Sequence, residues 1–319
     1  MVYTAYSLLS PAPAQAQSVS LGVQPPIFEV SALPPATIKS DLHIKNFSDT
    51  PTTVSIQLKP FKASNTENGR LTYINDPNTI KTLSQYVHLE KGGQPVTELT
   101  IPPDTDIKLT VVMDVPKDQP AKDYYFSIIF IANPDTKDVQ INQSASKTTG
   151  GIATNVLLSI GPFDQTTGSI EEFSAPVFVD KGPLPFTLRV KNSSHHVIAP
   201  QGEILISNMF GQTIGKVDLL PVNILSNSVR AIPDTKSVET NSSASLQSTG
   251  YRLQEPKTVW PEKFLIGPYT ANLRLLLSDS GPVYRRSIHF FALPLQGFLA
   301  IIVAIVIVLF LFQRLKKYR

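Results

Sequence analysis

Between Val19 and Tyr284 the chain is cut into short apolar or alternating runs by Pro, Gly, Asn and Asp. No segment of a dozen residues there carries helical periodicity. Successive side chains on a strand point to opposite faces, so an alternating run buries one face and wets the other. Many such runs at short spacing predict β-sandwiches rather than a helical or α/β fold. Thr53–Leu58 sets Val54, Ile56 and Leu58 on one face, and Thr37–Asn46 does the same with Ile38, Leu42 and Ile44. Pro25-Pro26 interrupts the first strand, as expected where a strand kinks or switches sheets. Tyr124–Ile131 is the most apolar run of the first half and reads as a central strand, with Ile152–Ile160 as its partner. Thr79–Leu89 reads equally as strand or as a helical turn.

Near residue 164 the pattern starts again. Leu42-His43-Ile44-Lys45-Asn46-Phe47-Ser48 is echoed 146 residues later by Leu188-Arg189-Val190-Lys191-Asn192-Ser193-Ser194. Each is a strand end followed by Asn and Ser, whose side chains can hydrogen-bond a turning backbone. A second echo sets Lys122-Asp123-Tyr124 beside Gly267-Pro268-Tyr269, each opening an apolar strand on a Tyr that can return its hydroxyl to the backbone. Two echoes in the same order predict two related sandwiches, over 18–163 and 164–289. Within the second, Pro233–Gln254 is rich in Ser, Thr and Asn and reads as a polar insertion.

Phe290–Phe312 carries no charge, and about 20 apolar residues suffice to span a bilayer as a helix. It is followed by Arg314, Lys316, Lys317 and Arg319, and setting these four aside takes the net charge from +3 to −1. The expectation is an all-β protein of two tandem immunoglobulin-like β-sandwiches, then one C-terminal transmembrane helix over 290–312 and a basic cytoplasmic tail over 313–319. Residues 1–17 end in Pro13-Ala14-Gln15-Ala16-Gln17, a pattern resembling the end of a signal peptide. The implied placement is the cell membrane, single-pass, with the N-terminal portion outside. The 27 Pro and absence of Cys exclude thiol chemistry and disulfide frameworks, and suit a bacterial surface protein. Without a stripe of Lys and Arg, no nucleic-acid partner is expected.

No residue is nominated as catalytic, cofactor-binding or metal-ligating. His195-His196 reads as an exposed turn pair, since no HExxH motif or carboxylate cluster accompanies it. His43 and His289 alternate with core positions and should face outwards, and no role is assigned to His88. Glu171-Glu172 are adjacent on a strand, so they cannot act as an acid/base pair. GxSxG, SxxK and GxxxxGK[ST] are all absent. Four Asn-x-Ser sequons at Asn46, Asn142, Asn192 and Asn241 are left unassigned, two of them being the repeat motif itself. Trp260 reads as a core residue more readily than as an interfacial aromatic.

With strands, repeat and terminal run in place, the chain resembles the WxL-interacting cell-surface proteins of Gram-positive bacteria. The resemblance rests on Leu42–Leu58, Leu99–Pro116, Tyr124–Ile131, Asn155–Pro162 and Leu188–Ile198, and on a closing hairpin that runs straight into the apolar stretch. It implies a non-enzymatic, membrane-anchored binding or scaffold protein, with the bilayer, peptidoglycan or WxL-type surface proteins as partners and no cofactor. The alternative is a pilus-chaperone-like protein or a structural subunit of an envelope or secretion complex. Pilus-assembly chaperones also pair two such domains, and use a cationic cleft to grip a subunit's terminal carboxylate.

Overall fold

The computed structural model describes residues 20–133, 150–162, 166–235, 257–278 and 281–316. The first sandwich packs two sheets. One runs β1 (Leu21–Gln24), β3 (Ala36–Asn46), β9 (Asp106–Val115), β6 (Val87–Lys91), β7 (Gln94–Pro95). The other runs β2 (Ile27–Ala32), β11 (Gly151–Ile160), β10 (Lys122–Asn133), β4 (Thr52–Ala63), β5 (Leu71–Tyr73), with β8 (Glu98–Ile101) also pairing β4. The chain crosses between sheets at Pro25-Pro26: β1 lies antiparallel to β3, and β2 parallel to β11. Alternation then sets the core. Leu42 and Ile44 on one sheet meet Phe126, Ile128 and Phe130 on the other, all essentially without exposure.

The second sandwich repeats this plan. One sheet runs β12 (Gly168–Ser174), β14 (Leu184–Asn192), β17 (Val229–Ala231), with β18 (Thr258–Trp260) also on β14. The other runs β13 (Phe178–Val179), β20 (Val283–Ala292), β19 (Gly267–Leu276), β15 (Gln201–Ser207), β16 (Thr213–Asp218). Here too the first strand divides, with β13 parallel to β20. In both units the first, second and fifth strands of an immunoglobulin sandwich face a sheet built from the third, sixth and seventh. Trp260 is buried, its ring 5.9 Å from Tyr269 and 6.4 Å from Phe290 at steep angles, while Tyr269 and Phe290 stack at 5.2 Å.

That aromatic cluster bears on the terminal run. Phe290 is 3% exposed and, with Phe291 and Ala292, belongs to β20, so strand rather than helix occupies the first positions of 290–312. A helix, α2, follows over Leu295–Lys316. Among the described residues no helix is long and apolar enough to cross a membrane. This corrects the expected transmembrane helix over 290–312, and with it the single-pass cell-membrane placement and the bilayer as a partner.

The undecided stretch Thr79–Leu89 resolves into both alternatives. Helix α1 (Pro77–Tyr86) leads directly into β6. Asp76 caps it: its carboxylate accepts from the Thr79 amide at 2.9 Å, with Pro77 in the first turn. Those hydrogen bonds hold the Asp76 carboxyl below its usual range. At the head of the expected insertion, Pro233 and Asp234 are buried parts of the sandwich, and Asp234 accepts from the Val259 amide at 2.7 Å. The remainder of that insertion, from 236 to 254, and the expected signal remnant over 1–17 lie outside the described residues.

Candidate functional site

The repeat motif forms the same turn twice. Asn46 is fully buried, its amide donating to the carbonyls of Thr50 (2.8 Å) and Ile101 (3.1 Å) while its Oδ1 accepts from the Ser48 amide (3.0 Å) and hydroxyl (2.6 Å). Asn192 is equally buried. It donates to His196 (2.7 Å) and Ile224 (2.9 Å) and accepts from the Ser194 amide (2.8 Å) and hydroxyl (2.7 Å). Burial removes both from consideration as glycan acceptors; Asn142 and Asn241 lie outside the described residues.

After Asn192, however, the turn continues into the seam between the sandwiches. The expected exposure of His195-His196 is half wrong. His195 is exposed, but His196 is buried, with its Nδ1 2.7 Å from the carboxylate of Asp123 in the first sandwich. The Asp123 side chain is 1% exposed. Its other oxygen accepts from the Val197 amide and, at 2.6 Å, from the Tyr125 hydroxyl, which accepts from the Ser226 amide at 3.0 Å. Burial, then the hydrogen bond to Asp123, pushes the Tyr125 phenol well above its ordinary value. One carboxylate thus ties strands and turns of both units together.

A second clasp lies on the Asn65–Arg70 loop between β4 and β5. Arg189 grips Glu67 with two parallel hydrogen bonds of 2.5 Å and reaches Glu172 at 3.4 Å; the hydrogen bond to Glu67 chiefly raises the guanidinium's pKa. The backbone joins in, with the Ala231 amide donating to the Glu67 carbonyl at 2.8 Å. A β-bulge between Ile170 and Glu172 breaks the alternation there: Ile170 and Phe173 both enter the core, and Glu171 and Glu172 between them both stay outside it. They accept from the hydroxyls of Ser169 (3.1 Å) and Ser174 (2.8 Å), so the pair is not divided between two faces as its adjacency implied. Beyond the clasps, Asn223 donates to Glu29 at 2.5 Å. His43 and His88 pair within the first sandwich with Asp106 (3.2 Å) and Glu90 (3.3 Å), and His289 with Thr270 (3.0 Å) in the second.

Between the clasps is a cleft of about 150 Å³. Its floor is Phe61, Leu157 and Leu225, buried from both sides, with Leu71 packed against them and Phe61 stacked on Tyr125 at 6.0 Å. Its rim carries Arg70 and Arg230. The Arg230 guanidinium lies against the backbone at Gly69, where a Cβ would come within 2.4 Å of Nη2; the positive φ of 82° there also favours glycine. Arg230 donates to the Asn223 carbonyl, and burial lowers its pKa from the usual arginine value. Arginine nonetheless stays charged in proteins. Among the described residues no carboxylate pairs with Arg230, so the cleft holds a half-buried cation above an apolar floor. The sequence alone gives none of Asp123, Glu67, Gly69 or Arg230 a functional role, because strand-end Asp and loop Glu, Gly and Arg carry no spacing signature of their own.

No family model and no curated protein matches this chain. Among solved structures it overlaps a chaperone–tip adhesin complex of CFA/I fimbriae (9% identity, 84% of this chain and 98% of that chain, TM-score 0.39). It also overlaps a SafA pilin–SafB chaperone complex from Salmonella enterica (9%, 86% and 98%, TM-score 0.37) and the class 5 fimbriae chaperone CfaA (9%, 86% and 100%, TM-score 0.35).

Proposed function

We propose that this chain is a non-enzymatic, chaperone-like binding protein that captures the carboxylate-terminated apolar end of a partner polypeptide in the cleft between its sandwiches. The observation that carries this reading is Arg230. A cation taken from water without a counter-charge is costly, and an arriving carboxylate offsets that cost. The floor of Phe61, Leu71, Leu157 and Leu225 suits one apolar side chain, since an apolar cavity of about 150 Å³ accommodates a benzene-sized group. From Ile27 at the cleft, β2 runs off as the terminal strand of its sheet, so a captured segment can continue as an added strand. The apolar floor and the open strand edge favour the chaperone-like alternative over binding to peptidoglycan, whose short stem peptides offer a carboxylate but no large apolar side chain and no length of strand.

The test is calorimetric titration of the full chain with a nonapeptide of alternating apolar residues, carrying either a free or an amidated C-terminus. Hydrogen bonds to a charged group are worth about 1.5–3 kcal/mol, so the free acid is expected to bind roughly 10–100-fold more tightly. Arg230→Gln should erase that gap. Equal binding of acid and amide overturns the carboxylate role. Tighter binding of peptidoglycan fragments than of either peptide returns the WxL-interacting reading to first place.

A further inference from the structure

The first sandwich carries a second, larger space that the cleft does not use. It is a half-open cavity of about 430 Å³ between α1 and the ends of the two sheets. Val87, Met113 and Val115 wall it from one sheet and Phe126, Leu158 and Ile160 from the other, each no more than 6% exposed. Between the sheets the side chains interdigitate as sandwich interiors normally do, and the space opens only where the core ends. There α1 lies across the mouth. Asn78, Thr79, Thr82, Leu83 and Tyr86 line the chamber at a spacing that puts them on one helical face. No residue of α1 is buried, although a helix closing a core ordinarily buries an apolar stripe. The hydroxyls of Thr79 and Thr82 are committed to the Asp76 carboxylate (2.6 Å) and the Asn78 carbonyl (2.9 Å).

Charge narrows the occupant. No Lys or Arg lines the chamber and Asp114 is its one charged residue, so a carboxylate or phosphate finds no partner and one repulsive neighbour. Gln119 and Tyr124 supply neutral hydrogen-bonding groups among the lining residues. We propose that the first sandwich binds a neutral, elongated apolar molecule, of the class of long-chain alcohols or acyl esters, with its chain held beneath α1 against the ends of both sheets. An apolar cavity of about 150 Å³ already takes benzene, and ligand sites run to about 300–1,000 Å³. At about 430 Å³ the chamber falls within that range.

The probe is N-phenyl-1-naphthylamine, a neutral fluorophore, titrated into the full chain and displaced by 1-dodecanol. Saturable binding and displacement are expected, with dodecanoate at least tenfold weaker than the alcohol. Asp114→Asn should narrow that difference. Thr82→Trp, at the open mouth on the lining face of α1, should weaken the probe at least tenfold while the far-ultraviolet circular dichroism is unchanged. Leu158→Trp fills the chamber from its wall and should do the same. Absence of saturable binding by the wild-type chain overturns the proposal. Dodecanoate binding as tightly as dodecanol does so too, as does a folded Thr82→Trp that binds the probe as the wild type does. Displacement by an apolar peptide but not by dodecanol assigns the chamber to a partner's side chain and equally overturns it. None of these outcomes depends on Arg230, so the cleft stands or falls separately.

Discussion

Two turns built from one motif do different work. At Asn46 and Asn192 the buried amide, the two carbonyls it holds and the serine that caps it are reproduced with nearly equal distances. Beyond that point they diverge. Asn46 is followed by Phe47, 56% exposed, in a turn whose hydrogen bonds among the described residues go to its own sandwich. Asn192 is followed by the buried His196 and by Val197, both held by Asp123 of the other unit. What repeats is what each sandwich needs in order to close. What does not repeat is where the molecule joins its halves and opens its cleft.

The largest expected effect tests this division. Asn46→Leu or Asn192→Leu removes the side-chain amide that donates to two carbonyls and accepts from a serine amide and hydroxyl. The Thr50 and Ile224 carbonyls and both serine hydroxyls keep a second partner, but the remaining groups lose theirs in the interior. At about 1–3 kcal/mol for an unsatisfied buried group, each variant should lose about 3 kcal/mol in urea denaturation. The losses should be similar, but the binding effects should not. The His196 carbonyl held by Asn192 fixes the turn that reaches Asp123, so only Asn192→Leu should weaken the free-acid nonapeptide. If Asn46→Leu weakens it equally, the separation of closing from joining is wrong.

This division also explains what was legible in the sequence. Strand alternation and the L-x-[IV]-K-N-x-S echo depend on local order, and both the sheets and the paired turns follow them. The Asp76-Pro77 cap was equally local, but α1 has only ten residues and a half-polar face, so the helical alternative did not stand out. The terminal run misled at its start because Phe290 and Ala292 are as apolar as a membrane segment, yet fill the core around Trp260. His196 read as a solvated turn residue because its partner, Asp123, lies 73 residues away. Arg230 beside Gly69 is no easier to foresee, since a cleft arises from the packing of two units and neither strand carries its pattern.

A smaller effect separates two adjacent tyrosines. Burial raises the phenol pKa of both, but the Tyr124 hydroxyl donates to Pro120 within its own sandwich at 3.3 Å, whereas Tyr125 sits in the seam. A phenol whose folded pKa lies above the unfolded value of about 10 contributes stability that is complete below that pH. That contribution is lost as pH rises towards the folded value, by up to about 1.4 kcal/mol per pH unit for one group. Urea midpoints measured from pH 8 to 11.5 should therefore fall less steeply in Tyr125→Phe than in the wild type. Tyr124→Phe should change the slope less, and a larger change there would place the buried phenol outside the seam.

The smallest effect concerns charge. Glu67 and Arg189 are 30% and 36% exposed, so solvent screens even their two-pronged contact. Within the first sandwich, Lys108 and Asp41 meet at 2.9 Å but are more than half exposed. Exposed pairs contribute about 0–1 kcal/mol. Asp41→Asn should leave stability unchanged within error, while Glu67→Gln should cost up to about 1 kcal/mol. That cost should shrink in 1 M salt, where the screening length falls to about 3 Å. The distinction then rests on position: Glu67→Gln removes the charge and one of the two acceptors of a contact between sandwiches, and Asp41→Asn does so within a sheet. Small-angle scattering should report a broader distribution of domain separations only for Glu67→Gln. An unchanged distribution would leave Asp123 as the clasp that sets the angle between the sandwiches, with Arg189 contributing surface charge alone.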